Sequence, residues 1–94
     1  MTVRMPKAVS CSPDVLFREL DSEGVLLDLE TERYYTLDDI GARMWQLLHE
    51  HEKTEPVVAL LLDEYDVDEN TLRQDLAGLI TRLAESGLMR IDQA

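Results

Sequence analysis

Residues 25–48 read VLLDLETERYYTLDDIGARMWQLL, and within this stretch the spacing of apolar residues changes from two to three and four. Val25, Leu27 and Leu29 alternate with Leu26 and Asp28, which predicts a strand with the first three side chains buried on one side. Glu30, Thr31 and Glu32 form a turn, and residues 33–37, RYYTL, predict a further strand because Tyr and Thr suit a pleated surface. Asp38 then stands where a helix cap belongs, and Ile40, Met44, Trp45, Leu47 and Leu48 recur at helical spacing. Sheet therefore precedes helix in this block.

Upstream, residues 15–20 give another short strand, closed by the turn residues Asp21, Ser22, Glu23 and Gly24, where glycine accommodates a positive φ. Residues 1–13 contain Pro6 and Pro13 and no sustained periodicity, which predicts a flexible, extended N-terminal arm ahead of a domain over residues 14–91. Downstream, Thr54 is expected to cap a second helix, with Pro56 in its first turn and Val57, Val58, Leu60, Leu61, Leu62 and Tyr65 apolar. Residues 66–70 interrupt the pattern. A third helix over residues 71–86 turns Leu72, Leu76, Leu79, Ile80 and Leu83 inward, Gly87 ends it in the left-handed conformation, and residues 88–91 add a short extended piece. Three antiparallel strands followed by three helices make an α+β fold of winged helix-turn-helix type.

The chain has 94 residues, enough for one modest core and too few for two. Its net charge of −11 repels phosphate backbones and anionic lipid, so nucleic acid and membrane surfaces are poor partners. The third helix offers only Arg73 and Arg82 to DNA, offset by Asp75 and Glu85. Cys11 is the single cysteine, which excludes an internal disulfide and a multi-thiolate metal site, and no base neighbours it in sequence. His49 and His51 point to different helix faces and do not make a metal pair. No Gly-rich phosphate loop occurs among four glycines. The pair Asp21-Ser22 faintly resembles the attachment site of acyl carriers, but strand-like segments surround it. The expectation is a protein that is not an enzyme, with no cofactor and no metal. No apolar run is long enough to span a bilayer, and the cytoplasm is the expected location.

The third strand carries the functional signal. In the order 1-2-3 it lies at a sheet edge, and Arg33, Tyr34, Tyr35 and Thr36 include no proline and a single charge to discourage pairing. Its unpaired backbone groups form a template on which an extended peptide can add as another strand.

The quoted block, with its strand ending Leu-Asp, Tyr-Tyr-x-Leu and Ala-x-x-Met-Trp, resembles the PqqD-like family, the leader-peptide recognition elements of pathways that modify ribosomally made peptides. The match continues through Asp63-Glu64-Tyr65, Asp75-Leu76, Leu83 and Gly87-Leu88. With Val9-Ser10-Cys11-Ser12-Pro13-Asp14-Val15, the chain looks most like the stand-alone recognition proteins of lasso-peptide pathways. The resemblance implies a non-catalytic protein that binds the leader of a precursor peptide, antiparallel to the third strand and against the third helix. It further implies that the leader is presented to a separate leader-cleaving cysteine protease and an ATP-dependent macrolactam cyclase. The resemblance also implies a leader that often carries a Tyr-x-x-Pro element, and the acidic charge of the chain predicts basic residues in it. Alternatives are a PqqD-like peptide chaperone of another such pathway, an acidic carrier protein and a winged-helix DNA-binding protein.

Carried over by position, Arg33, Tyr34, Tyr35 and Thr36 supply the backbone pairing. Glu69, Arg73, Leu76, Ala77 and Ile80 share one side of the third helix on a helical projection and are expected to form the opposite wall, with Leu76 and Ile80 making the pocket. Val25 and Leu27 are its expected floor. Asp66, Asp68 and Asp75, with Glu69, would steer a leader's lysines toward the site.

Overall fold

The computed structural model describes residues 5–92. The element order is β1 (Ala8–Cys11), β2 (Val15–Leu20), β3 (Glu23–Asp28), β4 (Arg33–Leu37), α1 (Asp39–His51), α2 (Thr54–Glu64), α3 (Glu69–Glu85) and β5 (Met89–Asp92). Strands β2, β3 and β4 form an antiparallel meander in that order, and β1 pairs with β5 in a separate two-stranded sheet. The α+β arrangement read from the sequence is present, with helices packed on one face of the meander. No helix is long and apolar enough to cross a membrane among the described residues.

The β2–β3 hairpin closes differently from expectation. Asp21 (φ 47°) and Ser22 (φ 72°) both adopt the left-handed region, the signature of a two-residue type I′ turn whose twist matches the flanking strands. Gly24 lies inside β3 instead. A Cβ there would stand 2.7 Å from the Phe17 ring and 2.8 Å from Ala42 Cβ, so its glycine serves the close approach of α1 to the sheet.

The buried face of β3 is also the reverse of the sequence reading. Gly24, Leu26 and Asp28 point inward, Leu26 is fully buried, and Leu29 is exposed. Asp28 tolerates burial because its side chain accepts the Glu30 N–H at 3.0 Å and fixes the following turn. Leu26 joins Met44, Trp45 and Leu48 of α1, Val57 and Leu61 of α2, and Leu72, Leu76, Ile80 and Leu83 of α3 in one core. Each fully buried Leu or Ile contributes about 1.5–3 kcal/mol relative to exposure.

Helix ends follow local chemistry. Asp38 accepts the Gly41 N–H at 2.7 Å and caps α1, and Asp68 accepts the Thr71 N–H at 3.1 Å and caps α3. Gly87 follows α3 with φ +78°. Thr54 does not cap α2; the N-cap is Lys53. The Thr54 hydroxyl donates to the carbonyl oxygens of Pro6 and Lys7 and is itself buried.

That contact anchors a segment read as a flexible arm. Residues 1–4 lie outside the described residues, but residues 8–11 form β1, in register with β5 through Val9↔Ile91 and Ser10↔Arg90. Val9 is fully buried, and its N–H donates to the Glu52 carbonyl at 2.8 Å. The packed unit thus includes Val9, ahead of the boundary expected at residue 14.

Candidate peptide-binding groove

Backbone direction in an antiparallel ladder alternates, so one bond fixes the phase of the whole meander. The Leu29 N–H donates to the Asp14 carbonyl at 2.9 Å, which turns the odd-numbered backbone groups of β3 toward β2 and the even ones toward β4. Gly24, Leu26 and Asp28 face Leu37, Tyr35 and Arg33. Tyr34 and Thr36 therefore present their N–H and C=O groups to the open edge, because no strand of the meander lies beyond β4.

Beside that edge runs a groove with two lobes. The first, about 350 Å³, is lined by Tyr35, Thr36, Leu37, Leu79, Arg82, Leu83, Glu85 and Ser86. The second, about 690 Å³, is bounded by the start of α1, with Ile40, Gly41 and Met44, and by Gln74, Asp75, Gly78, Thr81 and Arg82 of α3. Thr36, Leu37, Leu79 and Arg82 line both lobes, so the two are continuous. On α3 the stripe 75, 78, 79, 82, 85 and 86 has the spacing of one helix face. Tyr35 and Leu37 reach the groove because β4 shares the inward face of Leu26. The arrangement offers backbone pairing on one wall, apolar side chains below, and a rim with Asp75, Glu85 and Arg82.

Of the residues expected at the site, the structure gathers Tyr35, Thr36 and Asp75 along this groove. Arg33 and Tyr34 lie on the same strand, and Tyr34 is 71% exposed on its outer face. Val25 and Leu27 are on the outer face too, turned away from the groove, and do not form its floor. Leu76, Ala77 and Ile80 are buried in the core behind the groove rather than in its wall. Glu69 and Arg73 sit on the side of α3 that meets α2: Arg73 grips Glu55 through two 2.8 Å bonds and Glu69 through one of 2.9 Å. These bonds hold the Glu55 carboxyl below its usual range and raise the Arg73 guanidinium. Asp68 is used as a cap, and Asp66 is exposed in the link between α2 and α3. A helical projection orders residues around an axis without saying which side meets β4, and the side with Glu69, Arg73, Leu76, Ala77 and Ile80 does not line this groove. Leu37, Gly78, Leu79, Arg82 and Leu83 are the groove residues that reasoning missed.

Among the described residues, no three His, Cys, Asp or Glu side chains gather as they would around a metal ion. His49 stacks on Trp45 with ring centroids 6.3 Å apart. Cys11 is half-buried, and burial, with Glu52 nearby, pushes its thiol up to about 12.

A family model described as coenzyme PQQ synthesis protein D (PqqD) matches residues 23–89. The solved structure of TbiB1 in complex with the TbiA(beta) leader peptide is 38% identical, with a TM-score of 0.79, over 85% of this chain and 93% of that one. A lasso peptide synthetase B1 complexed with the leader peptide is 29% identical, with a TM-score of 0.77, over 87% of this chain and 96% of that one. No curated protein matches the chain.

Proposed function

The chain belongs to the PqqD family, and from that premise we propose that it is a leader-recognition protein of lasso-peptide biosynthesis. The leader of a ribosomally made precursor adds as a strand to β4, antiparallel to it, with alternate side chains in the groove against α3. The observation that carries this reading is the open edge at Tyr34 and Thr36, beside the two-lobed groove between β4 and α3. The two similar structures, each complexed with a leader peptide, support it.

In this mechanism the backbone bonds set the leader's direction and the two lobes set its register. Tyr35, Thr36, Leu37, Leu79, Arg82 and Leu83 are assigned to the contact, with Asp75 at the rim available to a leader lysine. The protein performs no chemistry itself. It raises the effective concentration of the precursor at a separate leader protease and an ATP-dependent macrolactam cyclase, in the cytoplasm where the precursor is made.

The test is an NMR titration of ¹⁵N-labelled protein with the TbiA(beta) leader peptide. The amides of Tyr34 and Thr36 should shift most, with Arg33 and Tyr35 less affected. Binding that leaves all four amides unmoved would refute strand addition.

A further inference from the structure

Strand β4 and helix α3 run in opposite directions along the groove. Tyr35 shares the first lobe with Glu85 and Ser86 at the end of α3, whereas Ile40, beyond β4, shares the second with Gln74 and Asp75 nearer the start of α3. A peptide antiparallel to β4 therefore travels in the direction of α3 and meets Asp75, then Arg82, then Glu85. Along that path the wall presents negative, positive and negative charge in a fixed order.

The cation in this order stands out against the rest of the chain, whose net charge is −11. The two other helical arginines are held by carboxylates, Arg43 by Glu64 and Arg73 by Glu55 and Glu69. Arg82 is exposed and forms no ion pair among the described residues, although Glu85 stands one turn away. Among the described residues it is also the only Lys or Arg lining either lobe, and it lines both. Gly78, one turn earlier on the same face, has no heavy atom within 4 Å of where a Cβ would stand, so a peptide side chain can approach Arg82 from the second lobe. A guanidinium is a planar fork of donors that matches a carboxylate through two parallel bonds. A cation in the last turn also suits the helix dipole, a contribution to stability that binding experiments separate from recognition.

We propose that Arg82 sets the register of the bound peptide by taking an Asp or Glu side chain where the two lobes join. The proposal rests on the peptide-binding reading above and adds a charge order to it: a basic residue opposite Asp75 precedes the acidic one. Asp75 and Arg82 are about 10 Å apart along the helix, which an extended chain covers in roughly three residues, so the basic residue stands about two to four positions ahead. The acidic field of the chain draws in any basic peptide. Arg82 repels a lysine at its own position, so one alignment satisfies both charges and the others are penalised.

A displayed library of random peptides, fused through the C-terminus so that no free terminal carboxylate competes, is selected on wild type, Arg82→Gln and Arg82→Glu. Wild type should enrich Asp or Glu at one position, with Lys or Arg about two to four residues before it. Changing that acid to Gln in the selected peptide should weaken binding to wild type roughly two- to fivefold, and changing it to Lys about tenfold, with both losses shrinking as salt is raised. Arg82→Gln should bind the acidic and Gln peptides within about twofold of each other, and Arg82→Glu should prefer the Lys peptide. The same acidic preference on wild type and Arg82→Gln, or none on wild type, would overturn the assignment. A lower melting temperature as the sole effect of Arg82→Gln would overturn it too, leaving Arg82 as a helix-end charge. In each of these failures, selected peptides that move the Tyr34 and Thr36 amides leave the peptide reading standing. Should wild type enrich no peptide that moves those amides, the peptide reading itself falls, and this inference with it.

Discussion

Replacing Thr36 by proline isolates the open backbone edge from everything else at the site. The Thr36 N–H points away from β3, so its removal takes nothing from the meander, and edge strands tolerate proline. Tyr35, the residue before it, is already extended, as a residue preceding proline must be. A bound peptide loses one N–H···O bond, worth a net 0.5–1.5 kcal/mol or roughly 2- to 13-fold in affinity. The ring also stands where the donor was and holds the peptide carbonyl beyond bonding distance, which moves the expectation to about tenfold or more. Thr36→Ala, which keeps the amide and trims an exposed side chain, should bind within about twofold of wild type. Tyr35→Pro is the contrasting control: its N–H faces Leu26 across the ladder, and its loss should lower the melting temperature sharply. Anisotropy of a labelled TbiA(beta) leader gives the affinities, and circular dichroism the melting curves. If folded Thr36→Pro binds as Thr36→Ala does, the peptide does not pair with this edge.

Leu76→Ala should destabilise the protein by about 2–5 kcal/mol in urea titration, because Leu76 is fully buried, while the affinity of the folded fraction stays unchanged; selective loss of affinity would return Leu76 to the groove wall. Arg73→Met should leave peptide affinity unaltered, since Arg73 is tied to α2, and should lower stability by no more than about 0.5–1 kcal/mol because the ion pairs are largely exposed. The Glu55 carboxyl is depressed by Arg73, so that stabilisation is fully present above its ordinary value of 4.5 and is lost as pH falls further; the gap between wild type and Arg73→Met should therefore close in acid denaturation curves. Cys11, with its thiol raised to about 12, should resist iodoacetamide at neutral pH in the native state and react on unfolding, as followed by mass spectrometry.

The helices were legible because their signals are local. Asp38 and Asp68 stand at caps, and a three-and-four spacing persists through α1 and α3. Two strand bounds, at residues 15–20 and 33–37, were legible for the same reason. The face of β3 was not. Alternation gives a period of two without a sign, and three apolar residues at 25, 27 and 29 outweighed Leu26, which owes its burial to α1 packing over Gly24. The edge position of β4 was readable from strand order, but the wall opposite depends on how α3 crosses the sheet. The stripe of Asp75, Gly78 and Arg82 was visible in the sequence, and its interior glycine was the available clue. Strand β1 escaped notice because four residues carry little periodicity and their partner strand is distant in the chain.

That distance has a consequence for manufacture. Ser10 donates a hydroxyl hydrogen bond to Asp92 at 2.7 Å across a separation of 82 residues, so β1 cannot be zipped until residues 89–92 have left the ribosome. The hairpins and the first two helices can collapse earlier from neighbouring sequence, leaving Val9 waiting for its mate. A nascent chain stalled before Met89 would carry β4 and its exposed edge with the amino-terminal segment held only by its bonds to Glu52 and Thr54. Closure of this seam thus ties the first strand of the fold to its last.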